Sequence, residues 1–231
     1  MAKAPRAGHS KTRLSPPLSP EEARQMSAAF LRDITENIRL ASQQADITGY
    51  VAYAPAGYEG LFDGVLAAGT KLVLADGAGE MPVGVDGFGR CLLHATRALF
   101  ARGHDSVCVL NSDSPTLPTA CLVEAAQRLQ AGDRAVLGPA EDGGYYLLGM
   151  TSDYDELYAG IDWSTAEVAA QTRAAAAAIG LQMPELAGWY DVDDRLSLAR
   201  LIDDLASGVG FGAPATASQI AALGLRNRLA A

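Results

Sequence analysis

The 231-residue chain is poor in the features that staple, anchor or metallate a protein. Its three cysteines, Cys91, Cys108 and Cys121, are odd in number and far apart, with no Cys-x-x-Cys pair. That excludes a disulfide framework and a zinc ribbon, and it suits free thiols in a reducing cytosol. No apolar run approaches the roughly 18 residues that would cross a bilayer. No apolar stretch follows the basic residues near the start, so no secretory leader is expected. The sequence therefore points to a cytoplasmic protein without a membrane partner. Histidine is scarce, and His9, His94 and His104 have no metal-ligand spacing. Positive charge is also in deficit. Lys and Arg number 18 against 27 Asp and Glu, a net charge of −9, which argues against a nucleic-acid-wrapping surface.

What charge there is has an uneven distribution. Residues 1–18 hold Lys3, Arg6, Lys11 and Arg13 and no acid, so the remainder carries 14 bases against all 27 acids. A short basic loop on an acidic body suits a local anion site better than a polyanion track. Hydrophobic residues make up 49% and charged ones 19%, an ordinary globular composition. With no repeat or linker to divide it, the chain reads as one domain, 1–231.

Hydrophobic periodicity and punctuation predict alternating strands and helices. Ser19-Pro20-Glu21-Glu22 is a capping box with proline in the first turn, and helical spacing continues to about residue 45. Strands are expected at 47–54, 71–75, 106–110, 135–137, 145–150 and 181–186. Helices are expected near 88–101, 119–129, 164–179 and 194–206. This alternation predicts an α/β fold with a mostly parallel sheet and helices on both faces. Ligands in such sheets bind beyond the carboxyl ends of the strands, and the polar motifs all fall there.

Three motifs carry chemistry. In the opening loop, Gly8 permits close backbone approach while Lys11 and Arg13 supply charge for phosphate; a solvated basic arm is the alternative. Asn111-Ser112-Asp113 follows the buried strand 106–110, so Asp113 is placed to hold a divalent cation, or else to form an Asx turn into Pro115. Glu141-Asp142-Gly143-Gly144-Tyr145 sets two carboxylates beside two glycines ahead of another strand. The glycines allow a ligand near, and the acids can bind hydroxyls or take a proton; a hairpin turn is the structural alternative. Trp189-Tyr190-Asp191-Val192-Asp193-Asp194 is a third acidic cluster, of which one residue suffices to cap the next helix. Trp163 and Trp189 are expected mainly to pack.

Together these segments resemble a bacterial family of glycosyltransferase-like proteins with a Rossmann-like GT-A fold, some linked with arsenosugar or selenium metabolism. The family is related to 2-phospho-L-lactate guanylyltransferase and to molybdenum-cofactor nucleotidyltransferases. The resemblance spans Lys3 to about Leu205. It rests on Ala2–Leu14 (AKAPxxGxxKTRL), Ser112–Pro118 (SDSPTLP), Leu137–Gly149 (LGPAEDGGYYLLG), Trp163–Thr165 and Trp189–Asp193. It implies that Lys3, Gly8, Lys11 and Arg13 line a donor nucleotide and its phosphates. The loop Gly87-Phe88-Gly89-Arg90 resembles the family's nucleotide-side loop. Asp113 corresponds to the metal-binding acid of an Asp-x-Asp motif whose first position here is Asn111, so Asp191 or Asp193 is expected to supply the second oxygen to Mg²⁺ or Mn²⁺. The family opens with an apolar strand before the lysine loop. Only Met1-Ala2 precedes Lys3 here, so the first strand is expected to be missing or reduced to a stub.

The function implied is transfer of a sugar from a nucleotide diphosphate sugar to a small acceptor, with Lys11 stabilising the departing diphosphate and Glu141 or Asp142 as base. Gly143, Gly144 and Tyr145 would contact substrate. A nucleotidyltransferase, joining a nucleoside triphosphate to a phosphorylated small molecule, needs no such base because its nucleophile is already ionised. A silent nucleotide-binding module is the third class.

Overall fold

Ser19 opens the first long helix as the sequence predicts. Its hydroxyl accepts from the Glu22 backbone N–H at 3.3 Å, and the Glu22 carboxylate accepts from the Ser19 N–H at 2.7 Å. Helix α1 then runs Pro20–Ala41. The computed structural model describes residues 1–230, and among them no helix is long and apolar enough to cross a membrane.

Strands β1 (Ala2–Lys3), β2 (Tyr50–Ala54) and β3 (Lys71–Leu74) form a parallel sheet in the order β1-β2-β3. The expected α/β architecture and parallel ladder are present, and β1 is the two-residue stub anticipated. Helix α2 (Gly87–Phe100) leads into β4 (Val107–Leu110), followed by α3 (Thr119–Gln130), β5 (Ala135–Pro139) and β6 (Tyr145–Met150). These last three strands make a second sheet, β4-β6-β5, in which β6 is antiparallel to both neighbours. The connection of five residues between β5 and β6 dictates this, since a parallel return needs a crossover of a dozen or more. The sheet is thus less uniformly parallel than its strand–helix alternation implied.

The strand expected at 181–186 is not a strand. Only single bridges, Leu137 to Glu185 and Ala140 to Trp189, hold this segment beside β5. Pro184 lacks the N–H that a continuous ladder requires there. Helices α4 (Val168–Ala178) and α5 (Arg195–Ser207) flank it. Two C-terminal helices, α6 (Pro214–Ala222) and α7 (Leu225–Ala230), went unpredicted. They join α1 and α5 in one cluster that includes Met26, Phe30, Leu198, Leu201, Ile220 and Leu225. A second cluster puts α2 and α4 on one side of β4–β6, and a third puts α3 and the end of α1 on the other.

Asp33 joins α6 to this core. It is buried in α1, and its carboxylate accepts from the backbone N–H groups of Ala215 at 2.9 Å and Thr216 at 2.6 Å. These are first-turn donors of α6, which has no side-chain cap of its own. Asp33→Ala should therefore cost about 2 kcal/mol in urea unfolding, with faster amide exchange at 215–222 than in α1.

Candidate functional site

Four segments converge beyond the ends of β1, β4, β5 and the Trp189 bridge, and one ammonium ties three of them. The loop after β1 curls on itself: Ser10 Oγ accepts from the Arg6 N–H at 3.0 Å and donates to the Ala4 carbonyl at 3.2 Å. Gly8 supplies a positive φ of 73° with no protein atom near where a Cβ would stand. Its role is the turn, and the space beside it stays open. Lys11 also adopts a left-handed backbone, φ 50° and ψ 42°, a costly conformation for a residue with a side chain. That backbone turns the lysine inward. Its Nζ lies 2.7 Å from the Val192 carbonyl, 2.7 Å from Asp113 Oδ1 and 3.0 Å from Asp193 Oδ1, with the side chain only 7% exposed. The aliphatic stem leads past Phe30, whose ring centroid is 5.3 Å from Nζ. Arg13, 75% exposed, reaches the other oxygen of Asp193 at 2.5 Å.

The β4 end is equally ordered. Asp113 accepts through its backbone carbonyl from the Val192 N–H at 2.8 Å, stitching this loop to the 189–194 segment. Its own N–H donates to Asn111 Oδ1 at 3.2 Å, so the Asx turn here is made by the Asn111 side chain and not by Asp113 as the sequence offered. The carboxylate remains directed to Lys11, so turn and site coexist. Asn111 also donates through Nδ2 to Asp191 Oδ1 at 2.7 Å, and Ser114 donates to the same oxygen at 2.6 Å. Asp191 is pushed up to about 6, chiefly by burial and further by repulsion from Asp113 and Asp142, against the opposing bonds from Ser114 and Asn111.

The hairpin turn separates the two acids that the sequence could not rank. Glu141 is spent in a two-pronged ion pair with Arg200, at 2.6 and 3.0 Å. That pairing holds its carboxyl below the usual range, and Arg200 itself stacks 3.8 Å above the Tyr190 ring. A carboxylate so engaged is a poor base. Asp142 is exposed, and its Oδ1 accepts only from the Gly144 N–H at 2.9 Å. Gly143 has φ 90°, and a Cβ there would lie 2.1 Å from the Ala166 carbonyl oxygen. This glycine is demanded by protein packing, not by a ligand. Tyr145 turns into the α2 cluster, its hydroxyl buried without a partner.

Other expected residues fall away from the ammonium. Arg90 donates to the carbonyls of Gly77 at 3.1 Å and Gly79 at 2.9 Å, so it braces the loop before α2. Gly89 lies flat against Trp163, where a Cβ would come within 2.7 Å of the indole nitrogen. Gly87 provides a positive φ at the helix start. Lys3 is exposed at the end of β1. Arg200 and Ser114 are contributors that the sequence reading missed; the SDSPT string contained Ser114, but nothing in the sequence linked Arg200 to residue 141.

Asp113, Asp191 and Asp193 were expected to hold a metal. No group of three or more His, Cys, Asp or Glu among the described residues is arranged to do so. Asp193 is committed to Lys11 and Arg13. Asp113 and Asp191 remain as two hard-oxygen donors whose mutual repulsion a cation would relieve. That set fits Mg²⁺ or Mn²⁺, which commonly take one or two carboxylates and fill the remaining positions with phosphate oxygens and water.

A family model described as an uncharacterized protein conserved in bacteria (DUF2064) matches residues 35–165, more than half of the chain. The chain belongs to that family. Its fold is similar to that of a provisionally named nucleotide-diphospho-sugar transferase from Desulfovibrio desulfuricans G20, with TM-score 0.80 and 24% identity over 99% of this chain and 93% of that one. It is more distantly similar to CMP:2-keto-3-deoxy-manno-octonic acid synthetase complexed with CTP, with TM-score 0.50 and 13% identity over 78% and 88% of the two chains. No curated protein matches the sequence. The structural likenesses establish the fold of this DUF2064 member.

Asp191 gives the site a measurable cost. Its carboxyl is raised from 3.8 to about 6 in the folded chain, so the native state binds the proton more tightly than the unfolded one. The stability of the native chain is therefore eroded as pH rises from about 4 to 6, and the loss is constant above. Asp191→Asn removes the titration. Its melting temperature should exceed that of the parent by a margin that widens across this window and is flat from pH 7 to 8. A margin independent of pH would show that Asp191 keeps an ordinary acidity.

Proposed function

We propose that this DUF2064 protein is a transferase acting on a nucleotide diphosphate sugar, with the diphosphate seated over Lys11. The observation that carries this reading is the buried Lys11 ammonium shared by Asp113 and Asp193 at the end of the parallel strands, beside the crowded Asp191. Anions bind at such strand ends, and a fixed ammonium there stabilises charge developing on a leaving group without reorganising. Arg13, at the rim, adds a screened charge. When bound between Asp113 and Asp191, Mg²⁺ or Mn²⁺ would supply further neutralisation of the diphosphate.

The acceptor hydroxyl attacks the anomeric carbon, the bond to the diphosphate oxygen breaks with its electron pair remaining on that oxygen, and Asp142 takes the hydroxyl proton. Asp142 suits this role because it faces solvent with one oxygen unengaged, whereas Glu141 is neutralised by Arg200. Glu141 instead positions the turn, since its N–H donates to the Trp189 carbonyl at 2.9 Å and its carboxylate clamps α5. The loss of one of the two candidate bases to this ion pair favours a second reading, nucleotidyl transfer. There an ionised phosphate attacks the α-phosphorus of a nucleoside triphosphate and pyrophosphate leaves. The CTP-bound relative in fold is named for a synthetase of a CMP-linked sugar acid.

The two readings differ in product. Incubated with Mn²⁺ and a panel of nucleotide sugars, the protein should release nucleoside diphosphate. Asp142→Asn should lower kcat by roughly 10²-fold or more with KM for the donor little changed, and Glu141→Gln should act mainly by lowering stability. Pyrophosphate released from a nucleoside triphosphate, with no diphosphate from any sugar donor, would replace the first reading by the second.

A further inference from the structure

The segment Trp163–Thr165 has no task in the transfer reading, yet the fold makes a special place for it. Trp163 lies against the first turn of α2, where a Cβ at Gly89 would come within 2.7 Å of the indole nitrogen. Gly89 therefore clears room for the indole. Phe88, beside it, is 49% exposed and meets the indole at 83°, with ring centroids 5.9 Å apart. Ser164 then turns the chain with a left-handed φ of 66°, a costly conformation for serine. The indole N–H is buried without an acceptor, a penalty that a phenylalanine would not bear. The packing thus favours a large aromatic ring at this place over its hydrogen bond.

The same loop reaches the candidate base. Ala166 stands against the Asp142-Gly143 turn, and the Gly143 carbonyl accepts from the Ala169 N–H at 2.9 Å. Three residues span at most about 10 Å, so Asp142 and the aromatic corner are the two ends of one short ledge. Its charge is of one sign. Residues 135–172 contain seven acids and no Lys, Arg or His. Arg200 takes up Glu141, and Arg97 takes up Asp153 and Asp155. Asp142, Asp162 and Glu167 form no ion pair among the described residues, and Asp162 accepts from the neutral Gln171 amide at 2.7 Å. Asp86, directly before Gly87, is exposed and makes no capping bond. Arg90 is committed to the Gly77 and Gly79 carbonyls. The donor phosphates have the basic loop, whereas an acceptor resting on this ledge meets carboxylates and aromatic rings.

We infer that the acceptor is a small alcohol carrying an ammonium group, whose positive charge rests in the Phe88–Trp163 corner while its hydroxyl reaches Asp142. The inference rests on the transfer reading above. Two rings set at nearly right angles form two walls of a cation cage, and each attracts a cation through its quadrupole, tryptophan most strongly. The carboxylates of Asp86, Asp162 and Glu167 add a potential that favours a cation and opposes a phosphate or carboxylate. An anionic acceptor, which nucleotidyl transfer requires, is thereby disfavoured on this ledge. Phe88 and Trp163 then select the acceptor, while Lys11 and Asp142 serve the reacting groups.

The test begins without a donor. Choline, its uncharged carbon analogue neohexanol and the carboxylate tert-butylacetate are each titrated into the protein. The readout is the Trp163 indole N–H resonance, assigned by its loss in Trp163→Phe. Choline should shift it saturably, neohexanol should bind about tenfold more weakly, and tert-butylacetate should leave it in place. Phe88→Leu keeps the apolar bulk without the aromatic face, and should weaken choline about fivefold with no change in melting temperature. Added salt should weaken choline as well. With Mn²⁺ and a nucleotide sugar that is turned over, choline should speed diphosphate release. Phe88→Leu should then raise the choline concentration needed without altering KM for the donor. Equal binding of neohexanol, an unchanged affinity in Phe88→Leu, or a preference for tert-butylacetate would overturn the inference. So would diphosphate release that choline leaves unaltered. Choline binding with no diphosphate from any sugar donor would instead defeat the transfer reading and leave the cation site in place.

Discussion

The candidate site is organised around the Lys11 ammonium. Its three contacts, to Asp113, Asp193 and the Val192 carbonyl, join the loop after β1, the end of β4 and the segment before α5. A buried cation is tolerated only where carboxylates and carbonyls replace its water, so each segment constrains the others. The left-handed backbone at Lys11 is the local cost of aiming the side chain inward. Removing the ammonium would leave Asp113 and Asp193 repelling each other beside Asp191, which burial and its acidic neighbours already hold near 6. The site is therefore a coupled charge cluster in which Lys11 and Arg13 face Asp113, Asp193 and Asp191.

Much of the scaffold was legible because its signals are local. The capping box of Ser19 and Glu22 needs only four residues, and the runs that became β2, β4 and β6 are short apolar segments bounded by breakers. The residues 181–186 looked like a strand by composition, but Pro184 and the pull of β5 leave only isolated bridges. The antiparallel β6 could have been foreseen from the Asp-Gly turn. Helices α6 and α7 lacked a strong apolar stripe, and α6 is held by a remote carboxylate, Asp33, that no local pattern connects to residue 216.

The site was legible as a set of segments and illegible as a set of partners. Lys11, Asp113 and Asp193 were each placed at the site from the sequence, and the structure joins them through one nitrogen. The roles within the acidic pairs were not readable. Glu141 and Asp142 differ only in that α5 brings Arg200 to the first, a contact across 59 residues. Gly143 looked like a ligand-side glycine, but the Ala166 carbonyl occupies the space its missing side chain leaves. Arg90, part of a loop assigned to nucleotide, instead spends its donors on Gly77 and Gly79. In each case the deciding contact comes from an element distant in sequence, where periodicity carries no information.

The most direct measurement is a crystal structure of the protein with Mn²⁺ and a nucleoside diphosphate. The account predicts an anomalous manganese peak between Asp113 and Asp191, with a phosphate oxygen within hydrogen-bonding reach of Lys11 Nζ. A nucleotide bound elsewhere, with Lys11 still closed on Asp113 and Asp193, would contradict it.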